Sequence, residues 1–442
     1  MGEIVRAIQL PQPPKLNRFI NDKDLAKLIR QYGTPLYIID EQTLHRKVKE
    51  LLDAYKKFKG QVSVAYSIKA NFNPAVLKAF MKDNVMFDAT STGELYFHNM
   101  CKGNPESVIY TSVTEELDEY EYALKNGVRR IVVSSYNGLL NLIEAAKATN
   151  IKPLAMIRIN PEVGVKAEVR ASYRHGKFGV PFNGNKVDSA TFIIKEILAS
   201  EMLVFEGFHF HLGSQITDYS CFPHALEKLE SFMAKIKKEH PNFKVNSIDI
   251  GGGTPVFYGD NVPTPNDIAS SMMTKLNQLY DTCSNFSLII ESGRYLTAES
   301  SILVSKIVNT KGYVNDKFVI VDAGYHVLLD SALLKQEYPQ EIVFAAGKKN
   351  DNISSTGNRV HLAGRLCDTY DVFPISKVSQ LNNAELNKYV LFYNVGAYSI
   401  VFNMPFHCQT KPPVVMKSNG QYTLVRKATT IDHLFVEEGG SL

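Results

Sequence analysis

Cysteine is scarce in this sequence of 442 residues, which holds only five: Cys101, Cys221, Cys283, Cys367 and Cys408. Their number is odd, they lie far apart, and no two form a CxxC pair. This spacing argues against both a disulfide framework and a cysteine zinc site. We therefore expect any functional cysteine to act as a reactive thiol.

Long apolar runs and charged tracts are also missing. No apolar run approaches the ~18 residues that span a bilayer, and the first residues, MGEIVR, form no signal-peptide core. The 49 basic and 45 acidic residues are spread along the chain, with a formal net charge of +4. These absences predict a cytoplasmic protein with a small-molecule partner, no nucleic acid and no membrane.

Hydrophobic residues make up 45% of the chain, which is typical of a globular protein long enough for two domains. Eight strand-like runs alternate with helix-patterned segments, and this order implies parallel pairing. The runs are Val62–Tyr66, Val85–Phe87, Val108–Tyr110, Ile131–Val133, Leu154–Ile159, Leu203–Phe210, Val245–Ile250 and Leu288–Ile290. They predict a (β/α)8 barrel of the TIM type, with a doubly wound sheet as the alternative.

The character of the sequence changes after Ser300. Strand-like runs such as Ile302–Val308 and Tyr389–Tyr393 follow one another there, with turn-forming residues between them and little helical periodicity. We therefore assign residues 36–300 to the barrel and residues 301–442 to a C-terminal β domain. Residues 1–35 form an N-terminal segment with a break at Pro11–Pro14 followed by a helical pattern.

Lys69 lies at the end of the first strand-like run, where the strand pattern gives way to turn residues and then to a helix. A lysine taken at random is most often a surface residue. A lysine that binds a carbonyl cofactor as a Schiff base must instead project into a pocket mouth and have a lowered pKa. Residues at the other strand ends decide between these interpretations.

Further polar residues and glycines fall at the ends of the later runs, where a barrel of this type has its active site. They are Asp88, Arg158, His209, His211, Ser214, Gly251, Gly252, Gly253, Glu291, Gly293 and Arg294. The triple glycine lets a backbone approach a phosphate closely, although such a run is often a plain turn. Ser214 and Arg294 supply the donors and the charge that favour the phosphate interpretation.

His209 and His211 alternate along a strand and so share a face, which invites a metal site. The sequence offers no HExxH-like companion, and we expect no metal. A single histidine ring stacked on a flat ligand is the preferred interpretation for His211. Glu291 either forms a structural ion pair with Arg294 or holds a proton on a ring nitrogen.

A lysine, a phosphate site, a stacking ring and a carboxylate together describe a site for pyridoxal 5'-phosphate, with Lys69 as the Schiff-base lysine and Glu291 at the pyridine nitrogen. The chain resembles the fold-type III pyridoxal-phosphate-dependent decarboxylases, the group of diaminopimelate and ornithine decarboxylases, and its overall pattern is most like the former. The matching segments are YSIKAN from Tyr66, KFG from Lys177, HLGSQ from His211, GGG from Gly251 and ESGR from Glu291. The resemblance extends from about Tyr32 to the C-terminus.

The resemblance implies a set of functional residues. Those that bind the cofactor are Lys69, Asp88, Arg158, His211, Ser214, Gly252, Gly253, Glu291, Gly293, Arg294 and Tyr398. Those that contact the substrate are Arg294, Asp368, Asp371 and Tyr398. The segment GRLCDTYD from Gly364 is similar to the family's cysteine motif. It implies that Cys367 is the acid that returns a proton to the substrate carbon.

The resemblance also implies an assembly. Cys367 enters the site from the other subunit, so the protein is a homodimer with shared active sites. The implied fold is an alanine racemase-like barrel with a C-terminal β-sandwich or barrel domain. The N-terminal segment, residues 1–35, packs with this β domain and completes it.

Two departures from the diaminopimelate enzymes bear on the substrate. After a segment like VDAG at residues 321–324, those enzymes usually present an arginine followed by proline and, further on, tyrosine. This chain has Asp330 to Leu334 at the corresponding stretch, so a contact to a substrate carboxylate is expected to be missing. Cys367-Asp368 with Asp371 beyond is more like the ornithine-type pattern.

We expect a decarboxylase that releases CO2 from Cα of a small amino acid. The candidate substrates are meso-diaminopimelate, ornithine or lysine, and a larger diamino-acid conjugate of siderophore or antibiotic biosynthesis. A racemase of the same fold, a non-catalytic regulatory relative that binds pyridoxal phosphate, and a metal-dependent barrel hydrolase are the alternatives.

Overall fold

A computed structural model describes residues 16–173, 176–183, 187–282, 285–343, 359–376, 379, 381 and 385–441. The predicted break at Pro11–Pro14 and Cys283 lie outside the described residues. The described part of the chain contains a closed eight-stranded barrel and a nine-stranded sheet. None of its helices combines the length and the apolar character needed to cross a bilayer.

The chain enters the fold through helix α1, Asp22–Tyr32, and strand β1, Leu36–Asp40. Leu25 of α1 and Ile38 of β1 share a buried cluster with residues of the C-terminal sheet, and β1 itself is a strand of that sheet. The structure thus places residues 36–40 in the sheet domain, whereas the sequence analysis assigned them to the barrel. A short apolar run does not reveal which sheet it joins, because both sheets bury such runs.

The barrel region follows. Its strands in chain order are β2 (Val62–Ser67), β3 (Met86–Ala89), β4 (Val108–Tyr110), β5 (Arg130–Val133), β6 (Leu154–Arg158), β7 (Ala167–Arg170), β8 (Val204–His209), β9 (Gly213–Ile216), β10 (Ser247–Asp249) and β11 (Ser287–Ser292). All except β7 and β9 are parallel members of the closed barrel, and those two pair with each other. The eight predicted runs coincide with the eight barrel strands, so the predicted (β/α)8 barrel is confirmed.

Helices connect the barrel strands. They are α2 (Glu41–Tyr55), α3 (Pro74–Lys82), α4 (Thr92–Met100), α5 (Leu117–Lys125), α6 (Tyr136–Thr149), α7 (Ala190–Ala199), α8 (Cys221–Glu239), α9 (Pro265–Thr282) and α10 (Arg294–Thr297). Several begin at a residue whose side chain accepts a backbone N–H of the first turn, namely Asp40, Asn73, Ser91, Ser135 and Ser189. Such caps satisfy N–H groups that the helix leaves unpaired, and so fix where each helix begins.

An apolar layer fills the barrel and supports the candidate site. It consists of the buried residues Ala65, Ile109, Val132, Met156 and Ile289. Side chains two positions apart on a strand point to the same side, so Arg158 and Glu291 follow Met156 and Ile289 into the interior. Asp249 pairs in register with Ile289, and His209 with Asp249. A polar layer therefore lies directly on the apolar one, at the carboxyl ends of the strands.

The C-terminal domain is built on the nine-stranded sheet that β1 joins. Its other elements are β12 (Ser301–Gly312), β13 (Asp316–Val321), α11 (Leu329–Leu333), β14 (Gln340–Val343), β15 (Arg359–Ala363), β16 (Val372–Phe373), β17 (Tyr389–Tyr393), β18 (Val414–Ser418), β19 (Gln421–Arg426) and α12 (Ile431–Glu437). The strand order is β16-β15-β13-β12-β1-β18-β19, and β17 joins β14 to β12. The predicted β domain, completed by N-terminal residues, is confirmed.

Candidate active site

Lys69 follows β2 in a single 3-10 turn at the carboxyl end of the barrel. Its side chain is 43% exposed, and its Nζ lies 3.2 Å from Oδ2 of the buried Asp88 at the end of β3. Surrounding protein atoms lower the pKa of Lys69, but Asp88, with help from Tyr398 and Glu291, outweighs them and raises it. The expected lowered pKa is therefore wrong, because the ammonium is paired with a buried carboxylate.

His211 lies just beyond β8 at the same end of the barrel. Its Nδ1 accepts a 3.1 Å hydrogen bond from the backbone N–H of Gly252. Burial lowers the pKa of His211 to about 3; Lys69 and Arg158 add to this effect, and Glu291 opposes it. The imidazole is therefore neutral near pH 7, and a neutral flat ring in a fixed orientation is suited to stacking on an aromatic ligand.

Glu291, at the end of β11, is 3% exposed and directs its two oxygens to different histidines. Oε1 lies 3.2 Å from Nε2 of His209, and Oε2 lies 3.7 Å from Nδ1 of His211. Burial raises the pKa of Glu291, but His209, followed by Lys69 and His211, outweighs burial and holds the pKa far below its usual range. Glu291 is therefore a carboxylate that contacts histidines, and the alternative of a structural pair with Arg294 is not what the structure contains.

The triple glycine after β10 gives the site an uncovered stretch of backbone. The φ angle is +65° at Gly251 and +114° at Gly253, in the region that favours glycine. A Cβ on Gly252 would stand 3.0 Å from the carbonyl oxygen of Glu291, and one on Gly253 would stand 2.5 Å from Cδ1 of Ile216. Glycine is therefore required sterically, and it leaves the loop backbone open to a ligand.

Arg294 follows β11 and lies among hydroxyl and aromatic groups beside this loop. Its Nε is 3.4 Å from Oγ of Ser214, its Nη1 is 3.4 Å from the hydroxyl of Tyr258, and its guanidinium lies 4.8 Å from the ring centre of Tyr398. A Cβ on Gly293 would stand 3.2 Å from the hydroxyl of Tyr398. Tyr258 is not among the residues predicted from the sequence, although its position shortly after the triple glycine was an available signal.

Asp330, in α11, is buried beside Arg294. Its Oδ2 lies 3.6 Å from Nη1 of Arg294 and has no hydrogen-bond partner among the described residues. The carbonyl of Asp330 accepts hydrogen bonds from the backbone N–H groups of Leu334 and Gln336, which fixes the turn. Burial raises the pKa of Asp330, and Arg294 opposes this effect. The stretch that departs from the diaminopimelate pattern thus presents a carboxylate to the arginine.

Arg158, at the end of β6, is buried with its guanidinium 4.7 Å from the ring centre of Phe178. The ammonium of Lys177 lies 4.8 Å from the same ring. The backbone N–H of Val180 donates to the carbonyl of Arg158, which holds the segment 177–179 at the barrel end. Burial lowers the pKa of Arg158, and Glu291 opposes this effect most strongly.

Cys367 is exposed on a loop of the sheet domain. Its backbone N–H donates to Nδ1 of His407 at 3.3 Å. The carboxylate of Asp371 is buried inside the loop, where its two oxygens accept the backbone N–H groups of Tyr325 and Leu366 at 2.7 Å each. Asp371 therefore organises the loop from within, because both of its oxygens are already engaged there. The half-buried Asp368 accepts the hydroxyl of Tyr325 at 2.9 Å.

His209, Asp249 and Glu291 are close enough to hold a metal ion, with one ligand atom from each within 4.8 Å of the others. His211, the predicted partner of His209, is not a member of this group. Lys69 and Arg158 interact electrostatically with Glu291, and two cations at this position disfavour a divalent ion. The cluster therefore matches an organic ring better than a metal.

Pyridoxal phosphate fits these residues. Oδ1 of Asp88 is buried without a hydrogen-bond partner among the described residues, as expected of a group that faces a polar ring. The neutral His211 offers a ring face. Gly253, Ser214 and Arg294 offer backbone, hydroxyl and guanidinium donors to a phosphate, whereas the N–H groups of Gly251 and Gly252 donate to Asp249 and His211.

Comparisons with known proteins agree with this site. Residues 42–298 match the family described as pyridoxal-dependent decarboxylase, pyridoxal binding domain. The diaminopimelate decarboxylase of Methanothermobacter thermautotrophicus is 30% identical over 427 residues, which cover 94% of each chain. That of Methanocaldococcus jannaschii is 26% identical over 428 residues, covering 95% of this chain and 94% of the relative.

Solved structures give the same result. The crystal structure of diaminopimelate decarboxylase from M. jannaschii with L-lysine superimposes with a TM-score of 0.83 at 25% identity and covers 94% of both chains. The lysine/ornithine decarboxylase of Vibrio vulnificus with putrescine has the same fold, with a TM-score of 0.71 at 18% identity, covering 90% of this chain and 98% of that one. This chain therefore belongs to the pyridoxal-dependent decarboxylases, enzymes whose cofactor is pyridoxal phosphate.

Proposed function

We propose that this enzyme removes the α-carboxyl group of a small diamino acid at a site made by the polar layer of one barrel and the Cys367 loop of a second subunit. The observation that carries the proposal is the convergence of Lys69, Glu291, the glycine loop and Arg294 at one end of the barrel. A lysine, an ionised carboxylate and a phosphate cradle are the groups that this cofactor requires of a protein.

Each residue has a definite task in this proposal. Bound pyridoxal phosphate supplies the electron sink that takes up the pair left when CO2 departs. Lys69 would hold the cofactor through Nζ, and Asp88, whose Oδ2 lies 3.2 Å from that nitrogen, would orient it. His211 packs on the ring face and Glu291 keeps a proton on the ring nitrogen. The phosphate is assigned to Ser214, Gly252, Gly253, Gly293 and Arg294, and Arg158 and Tyr398 complete the cofactor contacts.

The homodimer supplies the proton donor. The described contacts of the Cys367 loop stay within the sheet domain, and its thiol side is exposed, which supports delivery to a partner chain. Phe72 lies three residues after Lys69, and its exposed ring packs against that of Phe97 in α4, a helix that also exposes Tyr96 and Met100; exposed apolar groups of this kind mark association surfaces. We also place the enzyme in the cytoplasm, and the free state of the described cysteines supports this.

The substrate has two leading candidates. meso-Diaminopimelate is the first, because the curated relatives are named diaminopimelate decarboxylases. Lysine or ornithine is the second, because the buried Asp330 lies 3.6 Å from Arg294 and competes with any second carboxylate for that guanidinium. Asp368 and Tyr398 remain proposed substrate contacts, whereas the engaged carboxylate of Asp371 supports a role in shaping the loop.

Release of CO2 from a substrate panel tests the function. We expect release from at least one of meso-diaminopimelate, lysine and ornithine in the presence of pyridoxal phosphate, and a racemised product without CO2 would contradict the proposal. Asp330→Asn removes the competing charge. The kcat/KM for diaminopimelate, divided by the kcat/KM for lysine, should therefore rise about 10-fold, which corresponds to a change of roughly 1.4 kcal/mol. An unchanged ratio would show that Asp330 does not affect the choice of substrate.

A further inference from the structure

A buried histidine, His209, lies behind Glu291 and has no role in the scheme above. It is the last residue of β8 and pairs in register with Arg158 of β6 on one side and Asp249 of β10 on the other. Its side chain is 1% exposed, so it is closed off from solvent. A buried ring at the level of the polar layer acts on the site through its neighbours.

The contacts of His209 identify the neighbour. Neither ring nitrogen has a hydrogen-bond partner among the described residues, and the one ion-pair contact is that of Nε2 with Oε1 of Glu291, at 3.2 Å. A buried imidazole without a partner is costly, and so is a buried carboxylate. A short shift of either the ring or the carboxylate would pair Nε2 of His209 with Oε1 of Glu291 in one hydrogen bond.

We propose that His209 is a positioning residue that holds the carboxylate of Glu291, ionised and in one orientation, against the ring nitrogen of the cofactor. This inference rests on the proposed placement of that nitrogen at Glu291. The Nε2–H of His209 donates to Oε1, which leaves Oε2 on the side of His211. A carboxylate held in this way keeps its negative charge and can stabilise a proton on the ring nitrogen.

Two of the other charged groups around Glu291 cannot perform this task. Nδ1 of His211, the nitrogen that lies 3.7 Å from Glu291, already accepts the backbone N–H of Gly252 and so has no proton to donate, and Lys69 is committed to the cofactor. Asp249 makes no hydrogen bond to Glu291 among the described residues, and its Oδ1 accepts the backbone N–H of Gly251. Arg158 remains as a cation, but its guanidinium lies against the ring of Phe178. His209 is therefore the group that both contacts Glu291 and can donate to it.

The experiment uses enzyme reconstituted with pyridoxal phosphate carrying 15N in the ring, whose chemical shift reports protonation. In His209→Leu we expect the cofactor to stay bound while the shift moves toward that of the unprotonated ring. The kcat should fall about 10-fold to 150-fold, which is the effect expected from losing one hydrogen bond to a charged group. The KM should stay within about 2-fold of the wild-type value. His209→Gln keeps an N–H donor and should recover part of both losses.

A matched control is His98→Leu. His98, in α4, is also fully buried, and neither of its ring nitrogens has a partner among the described residues, but it packs on the ring of Phe87 in β3. Its replacement should leave the 15N shift and kcat unchanged. If His98→Leu and His209→Leu had equal effects, His209 would be an ordinary core residue and the proposal would fail.

A double-mutant cycle separates action through Glu291 from an independent effect. In a Glu291→Gln background, His209→Leu should cause no further loss of kcat, whereas multiplied losses or an unchanged 15N shift in His209→Leu would overturn the proposal. If His209→Leu does not fold, the ring-nitrogen signals of 15N-labelled His209 are compared between wild type and Glu291→Gln. Identical signals there would also overturn it. A protonated ring nitrogen in Glu291→Gln itself would instead refute the placement of that nitrogen.

Discussion

Mixing two inactive variants is the most direct test of the shared active site. Lys69→Ala removes the amine that holds the cofactor, and Cys367→Ala removes the thiol that returns the proton. Neither homodimer should turn over. In a mixed dimer, one site combines an intact Lys69 from one chain with an intact Cys367 from the other, and the second site lacks both.

The expected magnitude follows from the two-fold symmetry. Equal amounts of the two variants exchange at random into about half mixed dimers, and each mixed dimer has one competent site of two. The mixture should therefore recover roughly a quarter of wild-type activity, measured as CO2 released after exchange. Differently tagged chains and native mass spectrometry show the fraction of mixed dimers, so the recovered activity can be divided by it.

The structure also supplies a control and a refutation. Cys408 is a second free, exposed cysteine of the sheet domain, so Cys408→Ala should keep wild-type activity. If tagged chains exchange fully and activity stays at background, the thiol does not cross to the partner. Cys367 would then be structural or would act within its own chain.

Three further predictions test single residues. Glu291→Gln should lower kcat by at least about 100-fold with the cofactor still bound, because it removes the charge at the ring nitrogen but not the phosphate contacts; near-normal turnover would make Glu291 structural. Asp371→Asn should lower kcat and the melting temperature with little change in KM. A rise in KM for one substrate only would instead show that Asp371 contacts the substrate. Burial, followed by Arg365 and His407, lowers the pKa of His326 to about 4, so between pH 6.5 and 4 the unfolded chain binds a proton that the native state does not. As the pH is lowered through this window, the free energy of unfolding in urea should therefore fall by up to about 1.4 kcal/mol per pH unit. His326→Gln should make this pH dependence weaker.

Much of the barrel could be predicted because its strands carry two signals at once. Each is a short apolar run, and six of the eight carry a polar candidate residue at or just beyond the active-site end, namely Lys69, Asp88, Arg158, His209, Asp249 and Glu291. Arg158 and Glu291 follow apolar residues of the inner layer by two positions, so a period of two extends the core direction into the site. The same alternation that fills the barrel therefore also identifies which residue types converge above it.

Other features depend on contacts that a linear pattern does not contain. Strand β1 reads like a barrel strand, and only its pairing with β12 and β18 assigns it to the sheet. Asp371 stands in a motif that suggests a ligand, yet two backbone N–H groups already occupy its oxygens. The raised pKa of Lys69 likewise reflects one neighbour, Asp88, which lies on the next strand of the barrel.

Protonation within the polar layer shows why residue types alone do not define the chemistry. Asp249 and Glu291 are both buried carboxyl groups on neighbouring strands, and burial alone raises the pKa of each. Asp249 stays above its usual range because Glu291 adds a like charge, whereas Glu291 falls below its own because His209 and Lys69 lie against it. Their surroundings thus shift the pKa values of the two carboxyl groups in opposite directions. The carboxylate able to hold a proton on a bound ring is selected by its contacts with cations, so removing His209 should make Glu291 behave like Asp249.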